Sequence, residues 1–532
     1  MAQGLTTHIL KRRLLIATVL TIAALGFRFF LVSHLTNDDD DDGRFYSQIA
    51  RNLLDDHGYS GEEEEPFVPT YVRVPGYPLF LAGAYHVFGR DNDRAVRIIQ
   101  VLLDTITCLL VAILAFQWSP VHWNRQKRWR AFLIALAFAA VCPFTAIYVT
   151  TILTETWALF LVTAFVLIST LALKSEGNKR WLWLVAGATG GLATMFRPDC
   201  AFFTGAVGLL VLLEGLLKSF RARPAEPALN DRKGLKPPIV NTVLTCGALS
   251  VGFVIALTPW TIRNARVFGV FQPVAPIYAN MPDEFAPLGY ISWLRTWVND
   301  ERYVGPIEDA LDLYPILIER IPDSAFDSPE ERENVRTLLA LYNNPIKQDP
   351  QSTDSDEDDF SDEPALKMTH EIDERFAEIA RERIARHPLR YGLVLPVERA
   401  VSMWFDTHTQ YYPFQGELFP ISDIDTDAHQ QYWLLSFAGL TWIYTIAGAI
   451  GTFLMLSARS SRRWGILVFM LILPRLAFLA FQEHPESRYT VEFFPFCMVA
   501  GAIALSSLRS SPGKIVLVLK RLAVPFKRAS EA

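Results

Sequence analysis

Long apolar segments recur along this 532-residue chain and restrict what it can fold into. Each is roughly 16–25 residues long, so a helix made of it can cross about 30 Å of hydrocarbon. The chain is 51% hydrophobic and 20% charged, so its apolar residues lie in blocks rather than in one soluble core. The segments are 14–32, 96–117, 131–150, 152–173, 181–196, 200–217, 239–260, 432–456, 464–481 and 490–507. We therefore predict an all-α polytopic membrane protein with about ten transmembrane helices, of which 181–196 has the weakest signal.

Lysines and arginines fix the predicted orientation, because they favour the cytoplasmic side. The first apolar segment follows Lys11, Arg12 and Arg13 like a signal peptide, but no small-residue cleavage site follows it, so it is predicted to stay. The basic segments between helices are 123–130, 174–180, 218–236 and 457–463, and the tail is also basic. Ten spans place all of them, and both termini, in the cytoplasm of a multi-pass protein of the inner (plasma) membrane.

Four regions follow from this threading. Residues 1–260 form an N-terminal transmembrane module that includes the first outer loop, 37–93, in which interfacial helices are predicted. Residues 261–430 form a small external helical region with no sign of an independent fold, residues 431–510 the C-terminal transmembrane helices, and residues 511–532 a basic cytoplasmic tail.

Three helices are predicted in the external region. The Ser328–Glu331 capping box opens one that runs to about Tyr342, and Ile372, Phe376 and Ile379 mark another. The third, Leu389–Trp404, is apolar enough to dip into the membrane. Between the first two the acidic tract 349–364 has the composition of a disordered segment.

Charged residues are rare inside the apolar segments. The exceptions are Asp104, Glu214 and Arg475, and the threading places Asp104 and Arg475 at similar depth, where an ion pair between helices is expected. Others gather at the outer helix ends, which the threading brings to one level: Asp42, Arg73, Glu155, Arg197, Arg263, Glu486 and Arg488.

This charge pattern suits a reaction on a lipid-linked phosphate. A sugar leaving a polyprenyl phosphate releases a phosphate monoester, which gains negative charge and needs guanidinium groups rather than a proton. The attacking hydroxyl must lose its proton to a carboxylate base. With one base, direct displacement with inversion is the simplest mechanism.

Six motifs, in order, resemble the GT-C superfamily of membrane glycosyltransferases, and in particular the protein O-mannosyltransferases and lipid A aminoarabinose transferases. The motifs are DGRFYSQIARNLL, PTYVRVPGYPLFLAGAYHVFG, LTETWALFL, FRPD, PWTIRNARVFGVF and PESRYTVEFFPF. The resemblance runs from about Arg28 to Ala504 without the insert 281–385. It implies a polyprenyl-phosphate-linked sugar as donor and a lipid, glycan or protein as acceptor, with no cofactor and no nucleic acid.

The resemblance also implies roles for single residues. Asp42, four residues before Tyr46, matches the general base, although Asp41 is the neighbouring alternative, and Glu155 matches a residue that assists or orients the acceptor. Arg73 before PGYP matches a basic residue near the phosphate. The other predicted substrate contacts are Tyr46, Tyr77, Arg197, Arg263, Glu486, Arg488 and Tyr489.

Each of these positions also has a structural explanation. Asp42 can cap a helix that begins at Arg44, Arg197 and Arg263 can anchor helix ends at headgroups, and Glu155 can complement a helix dipole. His484 is expected to be a passive surface residue. The five consecutive aspartates Asp38–Asp42 could bind a divalent cation, but no metal site is predicted there.

Two other classes of function compete with an enzyme. A transporter or flippase of lipid-linked sugars would place polar or discontinuous helices at the bilayer midplane and often shows repeated halves, and neither is visible. A sensor or scaffold would not need arginines at so many separate helix ends. The sugar, the acceptor and the prenyl chain length are not encoded in any recognisable pattern.

Overall fold

A computed structural model describes residues 2–35, 41–175, 179–221, 238–276, 278, 280–281, 284–344, 366–405, 411–412 and 428–508. Several predictions fall outside these residues: those for Asp38–Asp40, for the acidic tract 349–364 and for the tail 511–532.

Helices dominate the described chain, and no strand is assigned within it. The first ten are α1 (Ala2–His34), α2 (Asp41–Leu54), α3 (Gly76–Phe88), α4 (Asp93–Trp118), α5 (Arg125–Val141), α6 (Pro143–Ala146), α7 (Glu155–Lys174), α8 (Arg180–Phe196), α9 (Ala201–Arg221) and α10 (Pro238–Phe268). The remaining seven are α11 (Leu288–Leu294), α12 (Pro329–Tyr342), α13 (His370–Arg386), α14 (Leu395–Phe405), α15 (Ala428–Ser457), α16 (Arg462–Ala480) and α17 (Phe494–Leu508). The all-α polytopic fold is thus confirmed.

Among the described residues, eight helical segments are long and apolar enough to cross a membrane. A ninth crossing results if α5 and the segment Pro143–Val149, bent by 56° from it, count as one span. Helix α8 has only 17 residues, about 25 Å of helix, yet it packs along α7 from end to end. Arg197, just after α8, pairs with Glu155 at the start of α7. The predicted ten is reached only when the bent pair and α8 are both counted.

Helix α8 is held by an unusually close approach to α10. A Cβ added to Gly187 would lie 1.9 Å from the Leu249 carbonyl oxygen, and one added to Gly252 would lie 2.0 Å from that of Leu184. Small residues on both helices therefore let the two backbones touch, as is common between membrane helices. This contact explains why a short helix with a weak hydropathy signal is firmly placed.

The external region has a hydrophobic core of its own, which the sequence analysis did not anticipate. Tyr290, Trp293 and Phe376 are fully buried in it. The first two predicted helices are confirmed as α12 and α13, and the Ser328 hydroxyl accepts a hydrogen bond from the Glu331 N–H at 3.1 Å. The region is thus a small packed unit on the membrane module.

The expected pair between Asp104 and Arg475 is wrong, because each has another partner. Asp104 accepts a hydrogen bond of 2.5 Å from Arg28, at the outer end of α1. Arg475 pairs with Asp199 and Glu492. Glu214, the third exception, pairs with Arg463.

Arg28 is the best-satisfied charge in the described chain. Its side chain is fully buried, and its five N–H groups donate to Asp104, to the Cys108 sulfur and to three backbone carbonyls. Because hydrocarbon provides no other partner, this pair ties α1 to α4 and α5.

We expect Arg28→Met to lower the free energy of unfolding by about 3–5 kcal/mol, because it leaves Asp104 buried without a countercharge. The double variant Arg28→Met with Asp104→Leu should lose clearly less. Thermal unfolding of the purified protein in detergent measures both.

The control is Glu214→Gln. Its partner Arg463 is one-third exposed, so the loss should stay at about 1 kcal/mol or less. Equal losses for Arg28→Met and Glu214→Gln would show that the buried pair has no special structural role.

Candidate functional site

Two elements of the first outer loop bring Asp42 and Arg73 together. Helix α2 begins at Asp41 rather than at Arg44, so Asp42 lies in its first turn and one turn before Tyr46. The backbone at Arg73 is fixed by Tyr59, because the Tyr59 hydroxyl donates to the Arg73 carbonyl at 3.1 Å. At Gly76 an added Cβ would lie 2.4 Å from the Met195 carbonyl oxygen, so the backbone packs tightly against the end of α8.

The Asp42 carboxylate lies between two guanidinium groups. Arg73 Nη2 donates to its Oδ1 at 2.9 Å, and Arg488 Nη1 donates to its Oδ2 at 3.2 Å. All three side chains are 20–33% exposed, so solvent still reaches them. Burial raises the pKa of Asp42, but the positive charges of Arg488 and Arg73 outweigh it and hold the pKa below its usual range. Asp42 is therefore an ionised counterion of both arginines.

Ion pairs continue from Arg488 to the external region. Glu486 binds Arg488 through both carboxylate oxygens and also accepts a hydrogen bond from the His484 ring. The other ring nitrogen, Nδ1, lies 3.4 Å from Glu308 Oε2. The expectation that His484 is passive is wrong, because it lies between two carboxylates.

A second network lies deeper, at the ends of α7, α8 and α16. Arg197 donates to Glu155 Oε1 at 2.8 Å and lies 3.5 Å from Glu492. Arg475 donates to Asp199 and Glu492 at 2.5 and 3.0 Å. In the described structure, Glu155 Oε2 and Glu492 Oε1 have no hydrogen-bond partner. Glu155 thus has one buried carboxylate oxygen without a hydrogen-bond partner in the described structure.

Tyr489 joins the two networks. The guanidinium carbons of Arg197 and Arg488 lie 5.3 and 5.4 Å from the centre of its ring, so it is placed between both charges. Its carbonyl accepts from Arg475 at 2.8 Å. All of the predicted outer-end charges except Arg263 therefore belong to two adjoining networks that Tyr489 connects.

Tyr77 and Arg263, two of the predicted substrate contacts, lie outside these networks. Tyr77 is fully buried beneath Tyr46, with ring centres 5.4 Å apart, and donates to Gln100. Arg263 lies over the rings of Tyr59, Trp260 and Phe268 and donates to the Thr70 and Tyr59 carbonyls. Both therefore support the first outer loop, and direct contact with substrate stays a prediction for each.

Four residues of the networks were missed from the sequence: Asp199, Glu308, His484 and Glu492. Asp199 and Glu492 stand inside the motifs FRPD and PESRYTVEFFPF, so spacing to Arg197 and Arg488 was an available signal. Glu308 had none, because it lies in the insert. No group of three or more His, Cys, Asp and Glu side chains arranged to hold a metal was found in the described parts of the chain.

Fold and site together define an all-α polytopic membrane protein with an ionic surface at the helix ends. No family model and no curated protein matches the sequence. The solved structures that are similar to it include three of the oligosaccharyltransferase of Archaeoglobus fulgidus. The archaeal oligosaccharyltransferase AglB in complex with an inhibitory peptide and a dolichol-phosphate has a TM-score of 0.47 at 11% identity, over 98% of this chain and 52% of that one.

The other two are crystal structures of that enzyme. The complex with zinc and sulfate has a TM-score of 0.45 at 12% identity, over 97% of this chain and 51% of the other. The form tethered to an acceptor peptide has a TM-score of 0.46 at 13% identity, over 93% and 49%. This chain spans about half the length of the three matched chains.

The role of Arg263 can be tested by limited proteolysis. We expect Arg263→Ala to speed cleavage of the Glu62–Glu65 loop by a glutamate-specific protease, because the variant loses the hydrogen bonds to both loop carbonyls. The exposed residue Arg94 provides the control, and Arg94→Ala should be cleaved like the wild type. Unchanged cleavage of Arg263→Ala would contradict the loop-holding role.

Proposed function

We propose that the protein is an integral membrane glycosyltransferase that moves a sugar from a polyprenyl-phosphate donor to an acceptor hydroxyl at the outer face, with inversion. The observation that carries this proposal is the Asp42 carboxylate held between Arg73 and Arg488. It combines, within one set of contacts, a base for the acceptor and two groups suited to a phosphate. The GT-C resemblance supports the same assignment.

The donor phosphate would be bound by the two arginines. Guanidinium groups bind phosphate oxygens through paired hydrogen bonds and keep their charge in a desolvated site. Arg73 and Arg488 contact Asp42 from two sides, so a phosphate that binds both would compete with the carboxylate for them. We therefore expect donor binding to free Asp42.

Release from the arginines also makes Asp42 a better base. In the unliganded protein the two positive charges hold its pKa low. A bound phosphodiester brings one negative charge and offsets part of theirs, so the pKa of Asp42 should rise towards the range in which a carboxylate can accept a proton.

The chemical step then follows from these positions. The acceptor oxygen forms a bond to the anomeric carbon while the bond from that carbon to the phosphate oxygen breaks, and the hydroxyl proton passes to Asp42. The departing phosphate monoester gains a negative charge, which Arg73 and Arg488 stabilise where it develops. Glu155, with its free Oε2, would orient the acceptor.

The remaining predicted contacts have supporting places in this scheme. Tyr46 lies one turn from Asp42, and Arg197 and Tyr489 connect the Glu155 side to the Arg488 side. A hexose or pentose donor and a lipid, glycan or protein acceptor all fit this chemistry. Neither a cofactor nor a divalent cation is needed for it.

Transport or flipping of lipid-linked sugars remains the alternative. A transporter needs a polar site at the midplane that opens to both sides. Arg28 and Asp104, which lie within apolar helices, pair with each other, and Arg28 also donates to backbone carbonyls. They therefore offer no open polar site of the kind that a transporter needs.

We expect Asp42→Asn to lower turnover by a factor of about 10²–10⁴, the usual contribution of a general base. Donor affinity should be unchanged or higher, because the carboxylate that competes for Arg73 and Arg488 is gone. Transfer from a polyprenyl-phosphate sugar, measured as kcat and KM on purified protein, tests this. Wild-type turnover by Asp42→Asn would rule out Asp42 as the base.

Arg73 supplies the complementary control. Arg73→Ala should raise the donor KM, whereas Arg73→Lys should keep part of the affinity, since lysine retains the charge but not the planar fork. If neither variant changes KM or turnover, Arg73 is only a structural counterion of Asp42.

The proposed side of the reaction is tested by cysteine labelling in intact cells. Asn334 in the external region and Ser460 between α15 and α16 are both exposed. An impermeant maleimide should label Asn334→Cys from outside and Ser460→Cys only after permeabilisation, and the unmodified protein gives the background. The opposite pattern would place the site on the cytoplasmic face.

A further inference from the structure

Six side chains of alternating charge connect the external region to the candidate base. In order they are Glu308, His484, Glu486, Arg488, Asp42 and Arg73, and each forms an ion pair with the next. Glu308 belongs to the insert, His484 to Arg488 lie at the start of the last membrane span, and Asp42 and Arg73 are in the first outer loop. One ionic chain therefore holds three distant parts of the sequence together.

The His484 ring lies between two carboxylates. Its Nδ1 lies 3.4 Å from Glu308 Oε2, and its Nε2 is hydrogen bonded to Glu486 Oε1. A neutral imidazole has one N–H, whereas the imidazolium has two, so only the protonated ring can direct an N–H towards each carboxylate. The geometry therefore favours a positively charged His484.

Glu486 transmits this constraint to Arg488. Its Oε1 accepts from Arg488 Nη2 at 3.2 Å and is shared with His484, while its Oε2 pairs with Arg488 Nε. Loss of the His484 charge would leave Glu308 and Glu486 facing each other without a cation between them. Repulsion would then move Glu486, and with it the guanidinium that contacts Asp42.

Other contacts fix the same loop to the external region. Arg295 donates to Glu483 at 2.6 Å and to Gln482 at 2.9 Å, and Glu301 accepts from the Ser487 N–H at 3.2 Å. The interface between insert and loop is thus polar throughout, so its strength depends on charge.

We propose that His484, as the imidazolium between Glu308 and Glu486, is a positioning residue that orients Arg488 for the donor phosphate. The proposal rests on the proposed function and adds to it that docking of the external region controls donor binding. His484 itself touches neither substrate nor base.

The groups around His484 define its pH dependence. Glu308, Asp309, Glu486, Arg488 and Tyr489 all lie close enough to influence its charge. Burial lowers the pKa of His484, but Tyr489, Glu486 and the hydrogen bonds to Glu308 and Glu486 outweigh it and raise the pKa well above its usual value. The interaction is thus complete below about 6.5, the value of a free histidine, and is lost as pH rises through the higher value in the folded protein.

Kinetics provide the first test. His484→Gln should raise the donor KM by roughly tenfold, as expected when a hydrogen bond to a charged group is lost, with a smaller change in kcat. Glu308→Gln should shift the alkaline fall of kcat/KM to lower pH, and His484→Lys, which keeps the charge, should recover part of the KM lost in His484→Gln. Glu333→Gln, on an exposed pair in the same region, is the control and should behave like the wild type.

Magnetic resonance of the full-length protein with labelled histidine provides the second test and needs no activity. The signal that disappears in His484→Gln should titrate above the usual histidine range, and at lower pH in Glu308→Gln. Titration at the usual value, or an unchanged donor KM in His484→Gln, would overturn the proposal. If the wild type transfers no sugar, the proposed function fails, and the titration alone decides whether His484 is held as the imidazolium.

Discussion

The pairing of buried guanidinium groups with carboxylates is the interaction on which this structure depends. Charge is costly to bury beside hydrocarbon unless it is paired and hydrogen bonded. Arg28 with Asp104 solves this completely, and Arg475 does so through Asp199 and Glu492. The same kind of pair is partly exposed in Asp42 with Arg73. The ion pairs thus range from fully buried ones, which support the fold, to partly exposed ones, which the proposed function assigns to ligand binding.

The sequence predicts the helices well and their charge partners poorly. Apolar length alone locates the spans, because membrane thickness sets one scale for all of them. Partner choice also depends on helix rotation and packing, which hydropathy does not contain. Estimated depth pairs Asp104 with Arg475. It does not point to Arg28, which lies only four residues from the end of its apolar segment. The direction in which a side chain points from its helix therefore determines its ion-pair partner more strongly than its depth in the membrane does.

The candidate site shows the same division. Asp42, Arg73, Glu155, Arg197 and Arg488 were all placed at one level, and the structure brings them into two adjoining networks. Motif order was sufficient for this, because the motifs mark helix ends on one face. The contribution of the insert was not predictable, since Glu308 lies in a segment with no recognised pattern. The sequence around its partner His484 is typical of a surface turn, and only the structure shows that Glu308 lies beside it.

Charge balance along the ionic chain bears on the order of events in the proposed reaction. With His484 protonated, three cations alternate with three carboxylates, so the unliganded chain is neutral. In the proposed reaction an incoming phosphate would add negative charge and compete with Asp42 for Arg73 and Arg488. Asp42 is the only carboxylate that those two arginines share in the described contacts, so it is the group that we expect the phosphate to displace. Donor binding and the gain of basicity at Asp42 would then be the same event, and an acceptor hydroxyl would meet a competent base only when a sugar phosphate is in place.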